Sequence, residues 1–260
     1  MPPIFPLEIE EIILDLLAED DVDHFALKTC SLVCQAFLPR CRKHIFGSII
    51  LNPSDYNLEL PTIYNAFERL LRETPEIAHC IHTLDYTIRN HNLTSPSIQE
   101  SLKRISRLEF LTVRVGCSHS QDINWSNNPI RPALLHLLHL PTLTRFKVTG
   151  FKGFLVSDLI PCVNLKYLEI GRKTNVAAEN TFPATLPDHP IRLNEFVTRV
   201  KSPDAIMMLC TARRPDGQPI IDFRSLPKIT VGIEVHGQSE AQQELFRHCH
   251  FLTNANISCK

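Results

Sequence analysis

Hydrophobic residues recur at helical spacing near the start of the chain. Spaced i, i+3, i+4, i+7 and i+8, they are Ile9, Ile12, Ile13, Leu16 and Leu17. This spacing is typical of the apolar stripe of an amphipathic helix, and Pro6 supplies a fixed φ that suits a first helical position. The pattern predicts a helix over residues 6–18.

Two more helices and a strand are predicted next. After an acidic turn, Asp23 is a plausible N-cap for a second stripe. The apolar positions of that stripe are Ala26, Leu27, Cys30, Val33, Cys34 and Phe37. Pro39 marks the start of a short third helix, with Cys41, Ile45 and Phe46 on its buried side. Residues 48–51 have the composition of a strand.

The rest of the chain repeats a strand-like phrase, Leu-x-x-Leu-x-aliphatic. The six phrases cover residues 81–86, 108–113, 143–148, 165–170, 193–198 and 226–231, with middle anchors at 84, 111, 146, 168, 196 and 229. Helical patterns lie around and between them, at 62–72, 98–105, 132–140, 154–160, 204–211 and 240–250. Strands that return through a helix run parallel to one another.

These patterns predict an α/β protein with two parts. A three-helix module spans residues 1–51. Residues 52–260 resemble a divergent, irregular leucine-rich-repeat solenoid, with parallel strands inside and helices outside. An ordinary α/β domain with a parallel sheet is the alternative. An irregular loop is expected at 174–190, and residues 251–260 resemble the start of another repeat.

The helical module is too apolar to bury its own surface. Between Phe5 and Phe46, 23 of 42 residues are hydrophobic, against 43% for the whole chain. A unit of this size cannot bury so much apolar area alone, so something is expected to dock on it. Leu32 lies off the centre of the second stripe, and an exposed leucine there indicates a docking surface.

Charge excludes some partners without naming one, and cysteine content favours a location inside the cell. A formal charge of −1 argues against broad affinity for nucleic acid or anionic membrane, and no run approaches transmembrane length. Nine unpaired-looking cysteines are typical of a reducing compartment, and the acidic N-terminal helix is unlike a signal peptide. The expected location is the cytoplasm, the nucleus or both.

Motifs of catalysis are lacking, so we expect no enzyme activity and no cofactor. The sequence has no Gly-rich phosphate loop, no Gly-x-Ser-x-Gly and no His-Glu-x-x-His. Cys30, Cys34, Cys41 and His44 are candidate zinc ligands, but Cys30 and Cys34 lie one helical turn apart on the apolar stripe, which favours core packing. The run His248-Cys249-His250 leaves a Cys–His hydrolase as a remote alternative.

Several separated motifs resemble an F-box, in the F-box-like form abundant in mushroom-forming fungi. Over residues 4–51, they are Phe5-Pro6-Leu7-Glu8-Ile9, then Ser31-Leu32-Val33-Cys34 with Phe37, then His44-Ile45-Phe46. The chain departs from the family at Phe5, where Leu is common, and at Phe37, where Trp is usual.

The resemblance implies a non-catalytic subunit of a Skp-cullin-F-box ubiquitin ligase. An F-box binds a Skp-type adaptor, and through it the cullin-RING ligase, while the rest of the chain selects a protein substrate. The implied adaptor contacts are Pro6, Leu7, Ile9, Ile12, Leu16, Leu32, Val33, Cys34 and Phe37. The alternative is a repeat scaffold outside the ubiquitin system, in which the module caps the solenoid.

The concave face of the solenoid is the expected substrate surface. Side chains between and after the anchors include eight basic and four acidic residues, a balance of about +4, with Phe110, Phe151 and Tyr167 among them. The candidate contacts are Arg89, Phe110, Arg114, Arg145, Lys147, Tyr167, Lys173 and Arg199. The hypothesis is a strip for an acidic or phosphorylated segment. Solvated strand residues with an accidental charge balance are the alternative.

Overall fold

The chain forms a mixed α/β fold. The computed structural model describes residues 7–20, 24–52, 61–89, 95–116, 123–177, 182, 185–199, 203–233 and 239–259. The α-helices in these ranges are α1 (Leu7–Asp20), α2 (Phe25–Val33), α3 (Leu38–Ile45), α4 (Pro61–Glu73), α5 (Pro96–Lys103), α6 (Arg131–Leu138), α7 (Pro203–Thr211) and α8 (Ser239–His248). The strands are β1 (Ser48–Leu51), β2 (Thr83–Ile88), β3 (Phe110–Val115), β4 (Arg145–Thr149), β5 (Phe154–Leu155), β6 (Tyr167–Ile170), β7 (Val176–Ala177), β8 (Glu195–Thr198), β9 (Lys228–Ile233) and β10 (Asn254–Cys259).

One parallel sheet organises the molecule. Its eight strands are ordered β1-β2-β3-β4-β6-β8-β9-β10, so neighbours in the sheet follow one another along the chain. Every pairing is parallel, which requires each connection to cross back over the sheet. α-Helices and short 3₁₀ turns contribute to these connections. The predicted parallel sheet is therefore confirmed.

The six predicted anchors form a single row across the sheet. Paired in register from β2 to β9, they are Leu84, Leu111, Phe146, Leu168, Phe196 and Ile229. All are fully buried, because alternate strand residues point to the side that the helices cover. Within each strand, the residues directly before and after the anchor point to the opposite side of the sheet, which is called here the open face.

Most predicted helices are present within a few residues, but the one at 154–160 is wrong. There the chain forms β5 and then a 3₁₀ turn at Val156–Leu159. Phe154, Leu155 and Val156 are consecutive and all buried, so this segment has no polar side to turn toward solvent. β5 pairs with β7, a short strand inside the expected loop at 174–190.

Aromatic rings of the main core cluster around Trp125. The indole ring meets Phe151 edge-on at 5.0 Å and Phe154 at 4.9 Å between centroids. Phe151 is thus a core residue, and its predicted place on the open face is wrong. Gly150, with φ +87°, ends the alternation of β4 and turns the next side chain inward.

The N-terminal helices surround a small core of their own. Leu14 of α1, Leu27 of α2 and Cys41 of α3 are buried there together. The second helix ends earlier than predicted. Cys34 has an extended backbone and Phe37 stands just before α3, because Pro39 fits only the first turn of a new helix.

Candidate protein-interaction surfaces

The outer side of α1 is apolar. Ile9, Ile12, Ile13 and Leu16 are all exposed, on the side of the helix opposite Leu14. The predicted stripe is therefore one face of the helix, but it faces solvent while Leu14 packs inside. Exposure of four large aliphatic side chains on one helix face is typical of a contact surface.

Exposed apolar side chains continue on α2. Leu32 is 87% exposed, and Phe25 and Val33 are also exposed. Of eleven large hydrophobic residues exposed in the described parts of the chain, eight lie within the first 51 residues. The expected docking surface of the module is thus where the apolar surface of the molecule is concentrated.

The implied adaptor contacts fall into three groups. Exposed members are Ile9, Ile12, Leu16, Leu32, Val33 and Cys34. Phe37 is half-buried and packs against the small core, so it is at least partly structural. Pro6 lies outside the described residues, and Leu7 begins α1. Sequence reasoning missed Phe25, although it precedes Leu32 by two helical turns and so shares its face of α2.

A groove lies between α1 and the start of α3. Its volume is about 360 Å³, and Leu14, Ala36 and Phe37 contribute apolar surface to it. Charged side chains also line it, from Glu10 and Glu11 on α1 and from Arg40 and Lys43 on α3. An apolar floor with charges of both signs around it suits an amphipathic peptide segment.

An ionic cluster fixes α1 against α3. Asp15 accepts a hydrogen bond from Arg40 Nε at 2.7 Å, and a second Arg40 nitrogen contacts its other oxygen. His44 Nε2 lies 2.7 Å from Asp15 Oδ1. The hydrogen bonds from Arg40 and then His44 hold the Asp15 pKa well below its usual range. No local sequence pattern signals this cluster, since Asp15 is 25 positions from Arg40 and 29 from His44.

The open face of the sheet carries a network of ion pairs. Arg114 is paired with Asp85, and Lys228 Nζ lies 3.0 Å from Glu195 Oε1. Part of the predicted basic strip is therefore already paired with carboxylates on neighbouring strands. Sequence alternation places these residues on one face, but it cannot show which of them pair.

Glu169 is the centre of a second group on the open face. It is only 5% exposed, and its Oε1 lies 3.0 Å from Lys147 Nζ and 3.7 Å from Arg199 Nε. The Tyr167 hydroxyl donates to Glu169 Oε2 at 2.8 Å. One buried carboxylate therefore orients three of its neighbours. Strand alternation places Glu169 on this face but does not indicate this central position.

Arg145 is the exposed cation of this face that lies on aromatic rings. Its guanidinium carbon is 4.8 Å from the Phe110 ring centroid and 4.9 Å from the Tyr167 centroid. Two other predicted contacts are not brought together with it. Arg89 is 8% exposed and packs beside Gly116, and Lys173 lies in the turn after β6.

The cysteines that are candidate metal ligands or nucleophiles differ in their burial. Cys41 lies in the small core, where burial raises its pKa, and Cys34 is exposed beyond α2. Burial also raises the pKa of Cys249 to about 11, so its thiol stays protonated at neutral pH. Within the described ranges, no three His, Cys, Asp or Glu side chains are grouped to hold a metal ion.

Fold and surfaces together define a mixed α/β protein with a parallel eight-stranded sheet and an apolar-faced helical module. Across the parts of the chain described, no helix has the length and apolar character needed to cross a bilayer. No model of a known protein family matches the sequence, and no curated protein matches it.

Proposed function

We propose that the protein is a substrate-receptor subunit of a Skp-cullin-F-box ubiquitin ligase, acting in the cytoplasm or nucleus. The helical module docks on the Skp-type adaptor, and the open face of the sheet holds a protein substrate. The protein performs no chemistry itself. It raises the rate of ubiquitin transfer by holding the substrate close to the conjugating enzyme in a suitable orientation.

The concentration of exposed apolar residues in the module is the observation that carries this proposal. Ile12 on α1 and Leu32 on α2 project away from the core that holds the three helices together. Such residues gain most of their burial energy from a partner, at about 25 cal/mol per Å² of apolar area removed from water. Six exposed positions match contacts that the F-box resemblance implies.

Strand order supports a repeat array as the substrate-binding part. Doubly wound sheets reverse direction at a switch point, whereas this sheet adds each strand beside the previous one. Right-handed crossovers that always advance in one direction leave every connection on the same side. The other side stays open for a partner, as in a leucine-rich-repeat solenoid.

Adaptor binding tests the proposal. The purified protein is titrated with recombinant Skp-type adaptor by calorimetry, and the Ile12→Asp/Leu32→Asp double variant is expected to abolish binding. Both side chains are exposed, so the variant should remain folded; an unchanged far-ultraviolet circular dichroism spectrum would show that its helices are kept, and unchanged Trp125 fluorescence that its main core is. Val163→Asp, which alters an exposed apolar residue outside the module, is the matched control and should bind normally.

A second candidate is a repeat scaffold in which the module caps the sheet. β1 is the edge strand of the sheet, and Phe46 and Ile49 of the module pack against the main core. These contacts are what a cap requires. If calorimetry detects no binding of the adaptor to the wild-type protein, that result favours this candidate. Equal loss of binding in Val163→Asp would show that the apolar contact is non-specific.

A further inference from the structure

Two aromatic rings in one row of the open face hold an arginine side chain, and this arrangement is called here the seat. Phe110 on β3, Arg145 on β4 and Tyr167 on β6 are direct neighbours in the sheet register. The two ring centroids lie 6.4 Å apart, and the Arg145 guanidinium carbon is within 5 Å of both. The rings attract the cation through their negative faces and leave its N–H groups available at the surface.

A buried carboxylate fixes the position of Tyr167 in the seat. The Tyr167 hydroxyl donates to the buried Glu169, which also attracts Lys147 and Arg199. Burial first, and then the bond to Glu169, raise the pKa of Tyr167, so its hydroxyl remains a donor at every physiological pH. Less ordering is then needed when a ligand meets Arg145, and such preorganisation favours affinity.

The ion pairs of the open face show which of its cations is available to bind a ligand. The strand positions of the open face carry four cations, Arg114, Arg145, Lys147 and Lys228, and three carboxylates, Asp85, Glu169 and Glu195. Arg199, directly after β8, is a further cation that contacts this group. Each of the other four cations pairs with one of these carboxylates. Among the described residues, Arg145 has no carboxylate partner.

We propose that Arg145, on its two rings, receives a carboxylate side chain from an extended acidic segment of the substrate; this rests on the proposed function of the open face. A guanidinium matches a carboxylate through two parallel hydrogen bonds. Phosphate recognition uses clusters of arginines, and here the neighbouring cations are already paired. An extended segment repeats every second residue and so presents its acidic side chains on one side.

Peptide binding tests the inference. The probe is a fluorescein-labelled peptide of about ten residues in which glutamate alternates with alanine, since this spacing puts its carboxylates on one side of an extended chain. Wild-type protein should bind it, and a glutamine–alanine peptide should bind much more weakly. Arg145→Gln should weaken binding about tenfold or more, the loss expected for one charge-assisted pair.

Two further variants separate the seat from simple charge. Arg145→Lys keeps the charge without the bidentate geometry, and Phe110→Leu removes a ring while keeping an apolar residue; both should weaken binding. Arg69→Gln removes an exposed arginine from α4 and is the matched control, which should bind as wild type. Equal losses in Arg69→Gln and Arg145→Gln would overturn the inference. So would tighter binding of a phosphoserine–alanine peptide than of the glutamate peptide.

Adaptor titration of the same samples keeps the two proposals apart. Arg145→Gln should bind the Skp-type adaptor as wild type does, since Arg145 lies on the sheet and not on the module. Adaptor binding without peptide binding overturns the carboxylate seat and leaves the receptor function standing. Peptide binding without adaptor binding overturns the receptor function and supports the seat on its own.

Discussion

Replacing Asp158 with alanine should loosen the main core at its most aromatic point. Asp158 Oδ2 accepts a hydrogen bond from Trp125 Nε1 at 2.6 Å, and Asp158 Oδ1 accepts one from Arg131 Nη2 at 2.8 Å. One carboxylate therefore joins α6 to the segment that follows β5. The alanine variant leaves the buried indole N–H and the guanidinium without their acceptor.

The expected cost follows from these two losses. An orphaned buried donor costs about 1–3 kcal/mol, and Trp125 is almost fully buried. Removing one partner of a fully buried ion pair costs about 3–5 kcal/mol, but Arg131 and Asp158 side chains are 23% and 11% exposed, so water recovers part of that loss. Because one side chain serves both partners, the losses overlap. We expect a total of about 2–4 kcal/mol.

Intrinsic fluorescence measures this directly, because Trp125 is the single tryptophan of the chain. Urea unfolding of Asp158→Ala should show a lower midpoint than wild type, and its native emission should shift toward the red. Glu100→Gln is the control, because its pair with Lys103 is largely exposed and should contribute less than about 1 kcal/mol. Equal midpoints for the two variants would refute the reasoning.

Two further predictions concern the sheet and the module. Gly171→Ala should cost about 1–3 kcal/mol in urea unfolding, because the new methyl group would lie 2.1 Å from Thr149 Oγ1; Thr149→Ala should partly restore stability, and an unchanged midpoint would contradict the contact. Asp15→Asn should raise hydrogen exchange of α1 amides at pH 7, because the lowered Asp15 pKa means that its charged form stabilises the fold. That stability is present above the ordinary carboxyl pKa of 3.8 and is lost as pH falls through the folded value, so variant and wild type should converge only in stronger acid. Convergence near pH 5 would show that the bonds from Arg40 and His44 do not stabilise the charge.

The anchors of the strands were predictable, but the strand boundaries were not. From β2 to β9, each strand that contains an anchor begins two residues after the first residue of its phrase. Leu108 is fully buried, yet it precedes β3, whose ladder begins when Glu109 and Phe110 both donate to the His82 carbonyl. Side-chain burial sets the hydrophobic pattern, while hydrogen bonding sets the strand, and the two need not start together.

The pairing on the open face was beyond sequence reasoning. Period-two alternation assigns Arg145 and Lys147 equally to that face. Only the register of β4 against β6 places Arg145 beside Tyr167 and Lys147 beside Glu169. Register alone does not decide the ion pairs, however, since Asp85 lies opposite Thr112 but is paired with Arg114, so the sequence does not show which cation lacks a carboxylate.

The side of α1 that faces inward was also undetermined. Leu14 and Ile12 are both aliphatic, and the helix has apolar residues around most of its circumference. Their positions in the helix do not determine which of the two is buried. Leu14 is inside because Leu27 and Cys41 meet it from the other two helices, whereas Ile12 finds no such neighbour. Tertiary contacts thus separate core from surface where composition cannot.

The junction between module and sheet determines how the two proposed surfaces work together. Only Phe46 and Gly47 separate α3 from β1, and the Gly47 carbonyl accepts hydrogen bonds from His82 and Thr83 at 2.9 Å. The polar segment that follows Asn52 therefore comes after the first strand of the sheet, not between the module and the sheet. Because the junction is hydrogen-bonded at this point, we expect little rotation of the module relative to the sheet. Under the proposed function, an adaptor bound to the module would hold the substrate on the open face at a defined orientation, which favours transfer to the lysines that this orientation presents.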